Sequence, residues 1–208
     1  LWLLKKSNFE SVIRHLNRIS GVSAGSTHFR SERDYLNAYE LSSYLGNLVS
    51  IIATDISALK WQIQDEKGNK VKDPKLLDLI SQPCASMSYE ELTQMAIIHY
   101  ILDGNIFWLS FQETMADVRR GSFEIFPIMP PQVDVYNEVG ETITAGSMLS
   151  SRRVSRYRIQ VDNIQYYVDP DKMIHVKMTG PKNALRGMGK VQQNVQSLDA
   201  VSYTHLRA

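Results

Sequence analysis

The spacing of apolar residues predicts a long helix near the start of the chain. After possible helix caps at Ser31 and Asp34, apolar residues recur every three or four positions, which is typical of one face of an α-helix. The residues of this stripe are Leu41, Leu45, Leu48, Ile52, Ile56 and Leu59. The pattern therefore predicts one amphipathic helix of about five turns whose apolar face is this stripe.

A hairpin and a short helix are predicted next. Apolar and polar residues alternate over 61–64, and residues 65–69 have the composition of a turn. Pro74 follows Asp73 at the expected first position of a helix, where proline's missing N–H removes no helical hydrogen bond.

A second helix is predicted after the one at Pro74, and the sequence indicates both its start and its end. Ser88 is followed three residues later by Glu91, the spacing of a capping box, and the helical pattern stops before Gly104. Its last two turns are apolar on all sides, which indicates that this end is buried. We interpret His99, which lies in these turns, as a core histidine and not as a ligand.

From residue 105 to about 177 the pattern changes to strands separated by turns. The predicted strands are 105–112, 122–128, 132–137, 155–161, 164–168 and 173–178. A glycine-rich turn at 187–189 precedes a last helix near Lys190. Helices grouped around a mixed or antiparallel β meander predict an α+β fold, not alternating β and α elements.

Composition is typical of one globular domain. The 208 residues are 43% hydrophobic and 22% charged, with a net charge of +1, which argues against a strongly basic nucleic-acid wrapper. Cys84 is the single cysteine, so an intrachain disulfide framework and a cysteine-based zinc cluster are excluded. No apolar run approaches ~18 residues, so we expect no transmembrane helix and a cytoplasmic site of synthesis or assembly.

Charge and glycine content divide the chain into three parts. Residues 1–33 carry six Lys or Arg against two Glu, a net charge of +4, and the Gly/Ser-rich stretch 21–27 is typical of a linker. We expect a basic arm over 1–33 and a truncated α+β domain over 34–201. Residues 202–208 break the helical pattern, and we expect them to be a non-native tail.

One segment matches a catalytic motif. Ser23, between Gly21 and Gly25, matches the G-x-S-x-G nucleophile elbow, which needs a strand before the serine and a helix after it. The preceding pattern is helical, which favours a linker. A small serine-hydrolase-like enzyme using Ser23 remains an alternative.

Two other patterns favour turns over chemistry. The run 187–190 lacks the first glycine and the Ser/Thr of a phosphate loop, since Ala184 and Val191 occupy those positions. Asp169 and Asp171 flank a proline before His175, but Asp-Pro-Asp is also a common turn. We therefore predict no catalytic residue, no metal site and no cofactor.

The densest basic run supplies the candidate contact residues. They are Arg152, Arg153, Arg156 and Arg158. On a strand, the last two share one face, and Tyr157 and Ile159 lie on the other. Three roles stay open: a subunit contact, a phosphate contact to nucleic acid, or an ordinary solvated surface. A monomeric nucleic-acid-binding module is thus a further alternative.

Five segments together resemble the portal proteins of tailed bacteriophages, over roughly residues 35–200. They are 48–61 (a helix running into Trp61), 76–83 with 87–92, 102–107 (Leu-Asp-Gly-Asn-Ile-Phe), 126–133 (Phe-Pro-Ile-Met-Pro-Pro-Gln-Val), and 173–176 (Met-Ile-His-Val) followed by 186–189 (Arg-Gly-Met-Gly). The chain departs from the family pattern at Cys84, where Asn is usual, and at Lys190, where a small residue and Pro are usual.

The resemblance implies a structural subunit and not an enzyme. Portal proteins form a dodecameric ring at one capsid vertex, which is the channel for DNA packaging and ejection. The implied partners are other copies of the chain, the terminase large subunit, capsid and scaffold proteins, head–tail connector proteins and double-stranded DNA, with no membrane. The implied location is the virion, and the host cytoplasm during assembly. This chain would be the N-terminal, mostly wing, part, without the stem, clip and tunnel loop.

Overall fold

The computed structural model describes residues 34–70, 73–112, 123–137, 142–143, 154–161, 164–179 and 185–194. The helices are α1 (Asp34–Leu41), α2 (Ser43–Ser57), α3 (Pro74–Ser81) and α4 (Tyr89–Leu102). The strands are β1 (Asn105–Gln112), β2 (Phe123–Ile128), β3 (Val133–Asn137), β4 (Thr142–Ile143), β5 (Val154–Val161), β6 (Ile164–Val168) and β7 (Met173–Lys177). The α+β class is confirmed.

The predicted long helix is two helices. Ser42 has extended backbone angles and its hydroxyl accepts a hydrogen bond from the Leu45 N–H, so it is the N-cap of α2. A serine at this position satisfies an N–H that has no partner inside the helix. The run of apolar residues continues across Ser42, which is why periodicity alone did not reveal the break.

The buried face of α2 also differs from the predicted stripe. The helix buries Leu45, Val49, Ala53 and Ser57, whereas Leu48 and Ile52 are exposed. The small Ala53 and Ser57 allow α2 to approach α4, against which it packs. The prediction was therefore wrong for Leu48 and Ile52 and right for Leu45, and Leu59 beyond the helix is exposed as well.

The local turn and capping predictions are confirmed. Gly68 has a φ of +80° in the 65–69 turn, where the Asp65 carboxylate accepts from the backbone N–H groups of Lys67 and Asn69. α3 begins at Pro74. At the start of α4, the Ser88 hydroxyl accepts from the Glu91 N–H while the Glu91 carboxylate accepts from the Ser88 N–H.

The strands form two antiparallel sheets and not one continuous meander. Sheet 1 has the order β2-β1-β7, and sheet 2 has the order β4-β3-β5-β6. The chain leaves sheet 2 after β6 through the short 3-10 helix Pro170–Lys172, and β7 returns to pair with β1. This return brings residues about seventy positions apart in sequence, such as Asn105 and Lys177, into register.

The structure has three layers and two apolar cores. The main core lies between the sheets and includes Phe107 of sheet 1 and Ile159 of sheet 2. The second lies among the helices and includes Tyr35, Val49 and Leu102. α4 contacts β1 and β2, and Ile106 is buried on the face of sheet 1 opposite Phe107. The helices therefore lie on the far side of sheet 1 from sheet 2.

Several sequence predictions fall outside the described residues. They concern the basic arm 1–33 with Ser23, the arginines Arg152 and Arg153, and the tail 202–208. Among the described residues, no helix has the length and apolar character needed to cross a bilayer.

Candidate functional site

Four polar side chains from distant parts of the chain meet where the helices, both sheets and the 185–189 loop come together. We call this cluster the polar junction. Its members are Asp103, Asn105, His175 and Arg186. Asp103 and Asn105 lie at the α4–β1 connection, His175 lies on β7, and Arg186 lies in the loop before the 190–194 helical turn.

Asp103 is the anionic centre of the junction. It is 2% exposed, and its carboxylate accepts hydrogen bonds from the Tyr35 hydroxyl and from Asn105 Nδ2. The guanidinium of Arg186 lies 3.3 Å from Asp103 Oδ2. A buried carboxylate is tolerated only when it is paired and hydrogen-bonded, and here three donors from separate elements supply both.

Arg186 extends the junction to sheet 2. It donates to the Val133 carbonyl at 2.7 Å and to the Pro130 carbonyl at 3.0 Å. Its guanidinium also lies over the Phe107 ring, 5.4 Å from the ring centre. One side chain thus ties the loop to the helix end, to sheet 1 and to the start of β3.

Asn105 uses both ends of its amide. Its Oδ1 accepts from the Gly187 N–H at 2.7 Å and lies 3.0 Å from His175 Nε2. Its Nδ2 donates to the Gly187 carbonyl at 3.0 Å as well as to Asp103. The reciprocal pair with Gly187 imitates a strand ladder and holds the loop against β1.

These contacts define the protonation state of His175. Because Asn105 Oδ1 can only accept, His175 Nε2 carries the hydrogen, and Nδ1 accepts from the Tyr157 hydroxyl at 3.3 Å. Burial, aided by the nearby charges of Arg186 and Lys177, lowers the pKa of His175 to about 3. Burial also raises the pKa of Tyr157 to about 12. The imidazole is therefore neutral and fixed in orientation.

The prediction that His99 is a core histidine is confirmed. It is 6% exposed in the last turn of α4. Burial lowers its pKa to about 4, although the nearby Asp103 carboxylate acts in the opposite direction.

Two glycines allow the close contact between the loop and the end of α4. Gly104 has a φ of +84°, and a Cβ there would overlap the backbone of Met188 and Gly189. A Cβ on Gly189 would overlap the Leu102 carbonyl. The Gly189 N–H donates to the Asp103 carbonyl at 2.7 Å. Glycine is required because backbone meets backbone directly.

The polar junction has the properties of a cluster that stabilises the fold. Its polar groups are satisfied by one another, and its histidine is neutral. Within the described residues, no group of three or more His, Cys, Asp or Glu side chains could hold a metal ion. The other candidates from the sequence lie in turns. Asp169 precedes the 3-10 helix Pro170–Lys172, Asp171 lies within it, and both are exposed, while Gly189 leads into the 190–194 helical turn.

The predicted arginines of β5 lie on the outer face of sheet 2. The tyrosine–arginine face consists of Asp134, Tyr136, Arg156, Arg158 and Tyr167. As predicted, Arg156 and Arg158 share this face, while Tyr157 and Ile159 are buried in the core. The Arg158 guanidinium donates two hydrogen bonds to Asp134 Oδ2, at 2.6 and 2.9 Å.

Arg156 is held by rings instead of a carboxylate. Its guanidinium lies 5.4 Å from the Tyr136 ring centre and 5.1 Å from that of Tyr167. No Asp or Glu of the described residues pairs with it. It is an exposed cation whose position is set by strands on both sides.

Comparison with known proteins identifies the family. The family model described as phage portal protein matches residues 46–205. The chain belongs to the phage portal protein family. The portal-like segments noted in the sequence also share a place in the fold, because Asn105, His175 and Arg186 each come from one of them and meet in the polar junction. A search of curated proteins finds no match.

Solved structures share the portal-family fold seen here. A chain titled as the neck of an empty GTA particle computed with C6 symmetry is 19% identical, with a TM-score of 0.66 over 94% of this chain and 50% of that chain. A native GTA neck computed with C12 symmetry gives 19% identity and a TM-score of 0.58 over 85% and 46%. A chain of a native gene transfer agent virion is 18% identical, with a TM-score of 0.60 over 96% of this chain and 51% of that chain. This chain spans about half the length of those chains.

Sequence reasoning missed the polar junction as a unit. Its four members all lie in segments that resemble the portal family, but no single segment indicates that they meet. The available signal was the combination of a buried helix end that carries an acidic residue with a distant arginine at the start of a glycine-rich turn.

Proposed function

We propose that this chain is the N-terminal part of a portal subunit with a structural, non-catalytic role in a ring within a phage-like particle. The observation that carries the proposal is the family match over 46–205. The likeness to chains in necks computed with C6 and C12 symmetry supports a ring. The complete ring, of twelve copies, surrounds the channel through which double-stranded DNA is packaged and ejected.

The polar junction supports the structural part of the proposal. Its donors and acceptors are directed at one another, and this arrangement favours rigidity of the domain over turnover of a substrate. The tyrosine–arginine face supports a contact role, since Arg156 is exposed and held in place. The terminase large subunit, capsid and scaffold proteins and head–tail connector proteins dock on the assembled ring.

Imaging of the purified gene product tests this function. We expect negative-stain electron microscopy to show rings with an open centre at micromolar concentration. A monodisperse monomer under all assembly conditions would contradict the proposal. Ser23→Ala is the control for the hydrolase alternative, and it should leave ring formation unchanged.

A further inference from the structure

The helical layer exposes an apolar surface that its own core does not use. The outer α2 surface consists of Tyr44, Leu48, Ile51 and Ile52 on one side of α2, and of Leu59 and Trp61 just beyond it. Their exposed fractions run from 38% to 77%. If a fully exposed large side chain has about 150–250 Å² of accessible surface, these fractions give the six side chains a combined exposed area of roughly 700 Å².

This area is large for a free surface. The largest apolar patch on a typical monomer is about 300–600 Å², whereas each partner in a standard protein interface contributes about 800 Å². The outer α2 surface is therefore of the size that a stable protein contact needs. Its apolar character excludes a DNA backbone as its occupant, because phosphate contacts need cationic and polar donors.

Two charged residues lie within this apolar surface: Asp55 on α2, and Lys60 between Leu59 and Trp61. In the helical projection of α2, Asp55 lies between Ile51 and Ile52, and it is exposed. No Lys or Arg of the described residues pairs with it. A partner that covers the surface has to supply a cation to this carboxylate.

The opposite side of the molecule carries such a cation. The tyrosine–arginine face lies on the outside of sheet 2, and the outer α2 surface lies on the outside of the helical layer, with sheet 1 between them. Arg156 is exposed there beside Tyr167, which is 53% exposed. In a closed ring each copy contacts its two neighbours through two different surfaces. Two contact surfaces on opposite sides of the subunit fit this arrangement.

We infer that the outer α2 surface of one copy packs against the tyrosine–arginine face of the next copy, with Asp55 paired to Arg156 across the contact. The inference rests on the proposed ring function and assigns its interface. The occupant of the apolar surface is a second copy of this chain.

A charge exchange in the complete gene product tests the pairing. Asp55→Arg and Arg156→Glu each place like charges in the contact, and we expect each to abolish rings in electron micrographs and leave monomers. The double variant restores the opposite charges and should restore rings. Asp78→Arg on α3 and Lys67→Glu in the 65–69 turn are matched reversals at other exposed sites, and they should leave rings intact.

The reactivity of a cysteine placed on α2 shows whether a second copy or another part of the same chain covers this surface. Ile51→Cys should react readily with a bulky thiol reagent in dissociated monomers and roughly tenfold or more slowly in rings. Protection in both states would mean that the arm 1–33 or a later part of the same chain covers α2, and this would overturn the inference. Rings that survive both charge reversals would also overturn it while the portal function stands. Absence of rings in the unmodified protein would instead refute the proposed function.

Discussion

Two Asp–Arg pairs of the described residues differ in burial more than in chemistry. In the tyrosine–arginine face, Arg158 and Asp134 are 2.6 Å apart with side chains 25% and 28% exposed. In the polar junction, Arg186 and Asp103 are 3.3 Å apart with side chains 12% and 2% exposed. The longer pair is the more important one for folding, because removing one partner leaves a charge in a place that water does not reach.

The two regions also differ in what surrounds the pair. Around Asp103, donors arrive from α1, from β1 and from the 185–189 loop, so the pair holds three layers together. Around Arg158, the neighbours are residues of adjacent strands in one sheet. Burial and the number of elements joined therefore decide which pair stabilises the fold and which is available for contacts.

The largest expected effect comes from removing the cation of the junction. Arg186→Met leaves the Asp103 carboxylate buried without its charge partner and leaves the Val133 carbonyl without its Arg186 hydrogen bond. We expect the free energy of unfolding to fall by about 3–5 kcal/mol. Urea denaturation followed by circular dichroism measures this change, and a loss below about 1 kcal/mol would show that the polar junction does not stabilise the fold.

A methyl group at the loop contact should have a slightly smaller effect. Gly104→Ala is strained by its φ of +84° and by overlap with the Met188 backbone, so we expect a loss of about 3 kcal/mol. Gly68→Ala is the matched control, because its φ is +80° but its Cβ would meet nothing within 4 Å. Strain alone should cost about 1 kcal/mol there. Equal thermal shifts in the two variants would refute the close contact.

Acid should weaken the junction and the helical layer together. The pKa values of His99 and His175 are lowered by burial to about 4 and about 3, so the unfolded chain binds more protons between pH 6.5 and those values. Stability therefore falls as pH falls through this range, by about 2 kcal/mol for each histidine between pH 7 and pH 5. His175→Gln should roughly halve the slope of unfolding free energy against pH, and an unchanged slope would argue against a buried neutral His175.

The smallest effect is expected at the exposed pair. Arg158→Ala removes a contact in which both side chains are already partly solvated, and we expect less than about 1 kcal/mol of lost stability. Added salt should reduce the difference further. If this variant proved as destabilising as Arg186→Met, burial would not be what distinguishes the two pairs.

Local features of the fold were predictable from the sequence. The capping box at Ser88, the helix start at Pro74 and the turn around Gly68 depend on residues within five positions of one another. Strand alternation placed Arg156 and Arg158 on one face and Tyr157 on the other. The role of these arginines as subunit or DNA contacts stays a prediction.

Two errors show where local reasoning fails. Periodicity predicts that the stripe through Leu48 and Ile52 is the main buried face of one long helix, but α2 buries the face with Ala53 and Ser57. Apolar residues suit a core and a subunit interface equally well, so periodicity cannot tell which of them a surface serves. The N-cap at Ser42 was missed because apolar spacing continued across it.

Sequence patterns alone were enough to predict the family, the α+β class and the position of most described helices and strands, because those signals lie within a few neighbouring residues. No sequence pattern predicts that β7 pairs with β1, that the strands divide into two sheets, or that Tyr35, Asp103, His175 and Arg186 meet. These contacts join residues separated by about 70 to 80 positions. They depend on how layers pack, and packing depends on the shape and burial of the whole domain and not on any local pattern.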